Sequence, residues 1–273
     1  MQRRTVLALG MSAMATGFAP PLRAAAESGA SRFIADLTWI ELRDAIAAGA
    51  AVALVPTGGT EENGPHMAIG KHNRIVRHCA GEIARRLGNA LVAPVLAFVP
   101  EGSFDPPSGN MALPGTIGLS EPAFAAVLSD VARSLALAGF KLVCFLGDHG
   151  QSQQIQRSVA AALTRDWQPR GIRVASLDRY YGANGQVAWL EARGFTAAEI
   201  GTHAGLVDTA ELLAVAPDAV RRDRLSPKTW PAAPTGAEGD PTRATAAIGA
   251  ALIELKIATA VAEVRGLVAA GRG

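Results

Sequence analysis

Four short apolar runs, each followed or preceded by a stretch with helical periodicity, constrain this chain more than any other feature. Ala51 to Pro56, Ala90 to Phe98, Lys141 to Leu146 and Ile172 to Leu177 read as buried strands. The stretches between them have the period of helices. Asp36 to Ala48 carries Leu37, Ile40, Leu42 and Ile46 and is followed by Gly49. Asn73 to Leu87, Glu121 to Ala138 (punctuated by Gly139) and Gln153 to Trp167 follow the same pattern. Such alternation predicts an α/β fold, a mostly parallel sheet covered by helices on both faces. A Pro- and Gly-rich loop at 226–241 precedes a last, Ala-rich helix predicted from Thr242 to Val268. At 273 residues the chain is long enough for one large domain with a full core.

The first residues are set apart from this pattern. Met1-Gln2-Arg3-Arg4-Thr5-Val6-Leu7 opens an apolar run to about Pro20, and Ala24-Ala25-Ala26 follows. Paired arginines, an apolar stretch and small residues are the layout of a bacterial export signal, here of twin-arginine type, expected over residues 1–26. The apolar stretch is short of the ~20 residues needed to span a bilayer. Residues 27–273 are therefore expected to act in the periplasm or outside the cell, free of the membrane. Residues 1–26 hold three arginines and no acid, so the remainder has twenty-three basic against twenty-four acidic residues. No basic stripe is present, which argues against a nucleic-acid partner. Cys79 and Cys144 are the two cysteines, and Cys144 lies inside an apolar run, so they are expected to stay buried and unpaired.

In open parallel sheets ligands bind at the carboxyl ends of the strands. Polar clusters sit at those places here. The first is Gly59-Thr60-Glu61-Glu62-Asn63-Gly64-Pro65-His66, running on to Lys71-His72-Asn73. A long loop at 99–119, with Ser103 and Asp105 expected to shape a pocket, follows the second strand. Gly147-Asp148-His149-Gly150-Gln151-Ser152 follows the third, and Thr202-His203-Ala204-Gly205-Leu206-Val207-Asp208-Thr209 lies further on. Carboxylates and imidazoles in this combination suit zinc or manganese. Of the five histidines, His78 alone falls inside a predicted helix and is read as structural.

These segments resemble the motifs of the creatininase family. Glu61-Glu62-Asn63-Gly64-Pro65-His66 is similar to its E-x-H-G-P-H, and Asp148-His149-Gly150 to its N-G-H turn. His203-Ala204-Gly205-Leu206-Val207-Asp208-Thr209 is similar to H-A-G-x-x-E-T, Leu113-Pro114-Gly115-Thr116 to F-P-G-T, and Gly239-Asp240-Pro241 to a late G-D-P. The motifs stand in the family's order over roughly residues 35–265. The resemblance implies a three-layer α/β/α sandwich, a homo-oligomer (a hexamer), and two divalent metals that activate water against the C–N bond of a small, often cyclic, amide.

The departures from that pattern point to one metal. At the positions of the first metal's ligands stand Glu61, His72 and His149, a Glu/His/His set able to hold Zn²⁺, with Mn²⁺ as the alternative. Counting eleven residues on from Glu61 places His72 where the resemblance puts a bridging aspartate; a shift of one places Asn73 there. A neutral imidazole offers one lone pair and bridges nothing, and Asn63 and Gln151 stand at the second metal's other ligand positions as weakly binding amides. His203 is the expected general acid or base, Asp208 is expected to hold His203 or join the metal, and Glu62 is an alternative ligand or base. His66 is expected to support a ligand or the substrate. The leading expectation is a metal-dependent amidohydrolase; the alternative is a non-catalytic relative that binds a small molecule or a metal. No G-x-S-x-G elbow is present to support a serine hydrolase.

Overall fold

The computed structural model describes residues 31–226 and 236–271. The expected export signal and residues 227–235 of the predicted loop lie outside the described residues. Four parallel strands, β1 (Val52–Thr57), β2 (Ala90–Val92), β3 (Leu142–Gly147) and β4 (Arg173–Ser176), form one sheet in the order β2-β1-β3-β4. Val52 lies level with both Ala90 and Leu142, and Leu142 with Arg173. The central pair, β1 and β3, is buried along its whole length, which explains why both read as unbroken apolar runs.

The four helices expected from periodicity are present: α1 (Trp39–Ala47), α2 (Lys71–Leu87), α3 (Glu121–Ala138) and α4 (Gln153–Trp167). Successive strand residues face opposite layers. Val52, Leu54, Cys144 and Leu146 pack with Ile75, Val76 and Cys79 of α2. Ala53, Val55, Val143 and Phe145 pack on the other face with Phe124 and Leu128 of α3 and with Val159 and Leu163 of α4. Each fully buried large apolar side chain contributes about 1.5–3 kcal/mol. The result is the anticipated α/β/α sandwich. Cys79 and Cys144 are free and buried.

Three boundaries differ from the sequence expectation for identifiable reasons. Thr38 caps α1 in a reciprocal capping box with Glu41, so the helix starts three residues later than expected. The second strand pairs for three residues only. Pro94 has no N–H to give a ladder, and the chain rejoins β1 at Leu96, whose N–H donates to the Pro56 carbonyl at 2.9 Å. Helix α2 begins at Lys71, which puts His72 in its first turn rather than in the preceding loop.

Beyond β4 the chain adds short helices that periodicity did not reveal: α5 (Asp178–Tyr181), α6 (Gln186–Glu191) and α7 (Ala197–Ile200). Then follow α8 (Leu206–Val215), which begins within the polar stretch Thr202 to Thr209, and α9 (Ala246–Ala270), capped by Thr245. Helices α8 and α9 complete the layer begun by α2, with Leu212, Leu213, Leu252, Ile253 and Ile257 in its core. They cross so closely that a Cβ at Gly249 would lie 1.8 Å from the Ala210 carbonyl oxygen.

Candidate metal centre

The carboxyl ends of β1, β2 and β3 open onto one cavity of about 890 Å³. At its floor lies Glu61, with no exposed surface. His72 Nε2 lies 2.8 Å from Glu61 Oε1, and His149 Nε2 lies 2.9 Å from Glu61 Oε2. One ligand atom from each of the three residues falls within 4.8 Å of the others. His72 turns toward Glu61, whereas Asn73 turns away to clamp the β1 loop. Its Oδ1 accepts from Gly59 N at 3.2 Å and its Nδ2 donates to Thr60 Oγ1 at 3.2 Å. Gly58 makes room for this clamp, since a Cβ there would lie 2.0 Å from Asn73 Oδ1.

Sequence reasoning missed a fourth member of the cluster. Glu101, also without exposed surface, places Oε2 3.0 Å from His149 Nε2, while its Oε1 has no hydrogen-bond partner. Asn110 bridges the two acids, donating to Glu61 Oε2 and, at 2.9 Å, to Glu101 Oε2. The signal was available, because Glu101 follows the apolar run of the second strand just as Glu61 follows the first. The long loop thus contributes Glu101 and Asn110. Ser103 and Asp105, expected to shape the pocket, are exposed, bond to each other and do not line the cavity.

A built support lies behind the histidines. His72 Nδ1 faces Asp148 Oδ2 at 2.9 Å, which fixes the ring. Asp148 in turn accepts from Tyr180 Oη at 2.8 Å and from Lys256 Nζ at 2.6 Å, and Lys256 reaches Glu211 at 3.2 Å. Burial disfavours the Asp148 charge, yet Lys256 and His72 hold its carboxyl well below the usual range. Burial would likewise lower Lys256, but Asp148 and Glu211 raise it well above the ordinary lysine value. Glu61 behaves alike: burial raises it, and the bonds to His149 and His72 outweigh burial and bring it far down. Burial would lower His149; its bonds to Glu101 and Glu61 instead raise it to about 9.

This donor set fits a divalent cation. Each nitrogen of His72 faces a carboxylate oxygen, Nδ1 that of Asp148 and Nε2 that of Glu61, so Nε2 is aimed at the centre of the cluster. Glu61 and Glu101 crowd their oxygens around His149 Nε2, and one Glu101 oxygen is buried without a partner. Converging acceptors with an unsatisfied oxygen are what a cation would neutralise. At the second metal's expected positions, Asn63 donates Nδ2 to Glu61 O at 2.9 Å and leaves its buried Oδ1 without a hydrogen-bond partner, and Gln151 is exposed at the cavity rim.

His203 reaches the same floor from another side. Its Nε2 donates to the Glu62 carbonyl at 3.0 Å, and its Nδ1 lies 3.7 Å from Glu61 Oε1. Burial would lower its pKa, but a bond to Glu62 and the nearby acids raise it. The Glu62 carboxylate lines the cavity 3.5 Å from His203 Nε2, outside the Glu61, His72 and His149 set. Asp208 makes neither expected contact. In the first turn of α8 its Oδ2 accepts from Ala204 N at 2.8 Å and from Lys71 Nζ at 2.6 Å, so it holds a lysine rather than His203. Burial opposes its charge, but Lys71 keeps its pKa down at about 2. His66 is buried against Thr209 Oγ1 at 3.0 Å, tying the β1 loop to α8. His78 is exposed on α2.

Known proteins share this fold. The family model described as "Creatininase: Creatinine amidohydrolase" matches residues 35–264. A creatinine amidohydrolase of Pseudomonas putida is 30% identical over 210 residues, covering 74% of this chain and 79% of the relative. A mycofactocin precursor peptide peptidase of Mycolicibacterium smegmatis is 29% identical over 219 residues, covering 72% and 78%. Among solved structures, "Creatininase Mn" superposes with a TM-score of 0.73 at 23% identity, over 87% of this chain and 98% of that one. A mutant creatininase of "Zn-Zn type" gives 0.72 at 24% identity with the same coverage. The structural matches speak for the fold, and the family model spans the sheet, all three strand-end loops and the cluster at Glu61. This chain belongs to the creatininase family.

Proposed function

We propose that this protein is a metal-dependent amidohydrolase that cleaves a C–N bond of a small amide, with one divalent ion, Zn²⁺ or alternatively Mn²⁺, held by Glu61, His72 and His149. The observation that carries this reading is the convergence of those three buried side chains, backed by the Asp148 bond behind His72. A Glu/His/His set leaves a coordination position open for water. When bound, such an ion supplies Lewis acidity, which lowers the pKa of water and polarises an amide carbonyl.

The chain's own residues supply the proton handling. Because His203 Nε2 donates to the Glu62 carbonyl, its Nδ1 is the free acceptor, and that atom faces the Glu61 side of the cavity. His203 takes the proton from the attacking water and delivers it to the departing nitrogen. Glu101 and Asn110 fix Glu61 and His149, and Asp208 acts on the site through Lys71.

The test is His149→Ala. Zn²⁺ content measured on purified protein is expected to fall to near zero, and hydrolysis of a panel of cyclic, formyl and short peptide amides to fall at least about 100-fold. Unchanged metal content and activity would sink the proposal. A protein that binds Zn²⁺ yet hydrolyses nothing in the panel is a binding protein instead. A peptide amide is the second substrate reading. It is favoured by the cavity, whose volume of about 890 Å³ stands near the top of the roughly 300–1,000 Å³ usual for ligand pockets.

A further inference from the structure

Lys71 is a wholly buried lysine in the first turn of α2. Nothing about the helix calls for it there. Gly70 caps that end without a side-chain bond, and a helix N-terminus disfavours a cation. Desolvating an ammonium costs several kcal/mol unless anions compensate. The anions are at hand. Nζ lies 2.6 Å from Asp208 Oδ2 and 3.5 Å from Glu61 Oε1. His203 Nδ1 stands 3.7 Å from that same Glu61 oxygen. Two carboxylates therefore flank the ammonium, oxygen donors of the kind a divalent ion would take.

We infer that the Lys71 ammonium is a built-in substitute for a second metal ion: it occupies the place between Glu61 and Asp208 that a second divalent cation would otherwise fill. The inference rests on the reading of Glu61, His72 and His149 as a metal site. It explains how Glu61 and Asp208 remain charged side by side with one ion, whereas a solved relative is described as of Zn–Zn type. Lys71 thereby acts as a positioning residue, a fixed charge that holds Asp208 and Glu61 oriented toward the cavity and needs no loading.

The experiment is a titration of chelator-treated full-length protein with Zn²⁺ alone, with metal content after gel filtration of Zn²⁺-loaded protein read in parallel. Wild type and Lys71→Arg are expected to take one equivalent. Lys71→Ala and Lys71→Ser, which remove the ammonium and leave room, are expected to take two. They are also expected to gain more in melting temperature from Zn²⁺ than wild type does, because the incoming ion restores the lost charge. One equivalent in both truncated variants overturns the inference and leaves the single-metal reading standing. Two equivalents in wild type overturn both, and none in wild type overturns the metal reading together with the inference. A truncated variant that stays unfolded even when loaded with Zn²⁺ also counts against it, since the second ion should replace the missing charge.

Discussion

His66 shows how one side chain writes itself into the pH dependence of the fold. Burial, and then the nearby Lys71 charge, lower its pKa from the ordinary 6.5 to about 4. Above pH 6.5 the ring is neutral both folded and unfolded. Between pH 6.5 and 4 the unfolded chain takes a proton that the folded chain refuses, so stability falls as pH drops through that window, by up to about 3 kcal/mol. Urea unfolding across that range should show this slope in wild type and a shallower one in His66→Gln, which keeps a partner for Thr209. An equal slope in both would remove His66 from the account. At this scale the sequence was readable where a residue type was itself rare. Glu61, His72 and His149 stood out as acids and imidazoles on strand-end loops. Glu101 was marked by its place after the second apolar run but passed over, Asn110 was hidden in the long loop that follows, and Lys71 was masked by the histidine beside it. Lys256 was legible in principle: it shares a helix face with the buried residues Leu252, Ile253 and Ala260, where a charge demands a partner.

The elements were legible to the extent that local pattern decides them. All four strands and the first four helices carry their own periodicity, and Thr38 and Ser120 mark helix starts with side-chain caps. The second strand was read too long because Pro94 breaks its ladder without breaking its apolarity. Helices α5, α6 and α7 span four to six residues, too few for a period to show. The closeness of α8 and α9 could not be read at all, since it is a property of the pair. It makes a sharp prediction. Gly249→Ala would set a methyl group against the Ala210 carbonyl, a rigid backbone atom, so the helices must separate. We expect a loss of at least about 1–3 kcal/mol in denaturant unfolding, although alanine is the better helix former. A neutral or stabilising result would mean that the two helices slide freely.

For the whole molecule the centre should act as a staple between loops. An ion that binds only the folded state stabilises it by about 2.7 kcal/mol at a hundred times its dissociation constant. For a chain of this length that is a rise in melting temperature of roughly 5–10 °C. Zn²⁺-loaded protein should therefore melt higher than chelator-treated protein, and His149→Ala should lose the difference. Identical melting of loaded and stripped wild type would show that no ion engages the fold.

The order of the strands adds a matter of chronology. Glu61 and His72 are eleven residues apart and belong to the first strand–helix connection, whereas His149 arrives after the third strand, which settles beside the first and not beside the second. A nascent or half-assembled chain holds two of the three donors and offers a metal only a loose grip. On the proposed metal reading, full capture would wait until β3 has docked on β1, and molecules with an undocked third strand would be recognisable by being metal-poor.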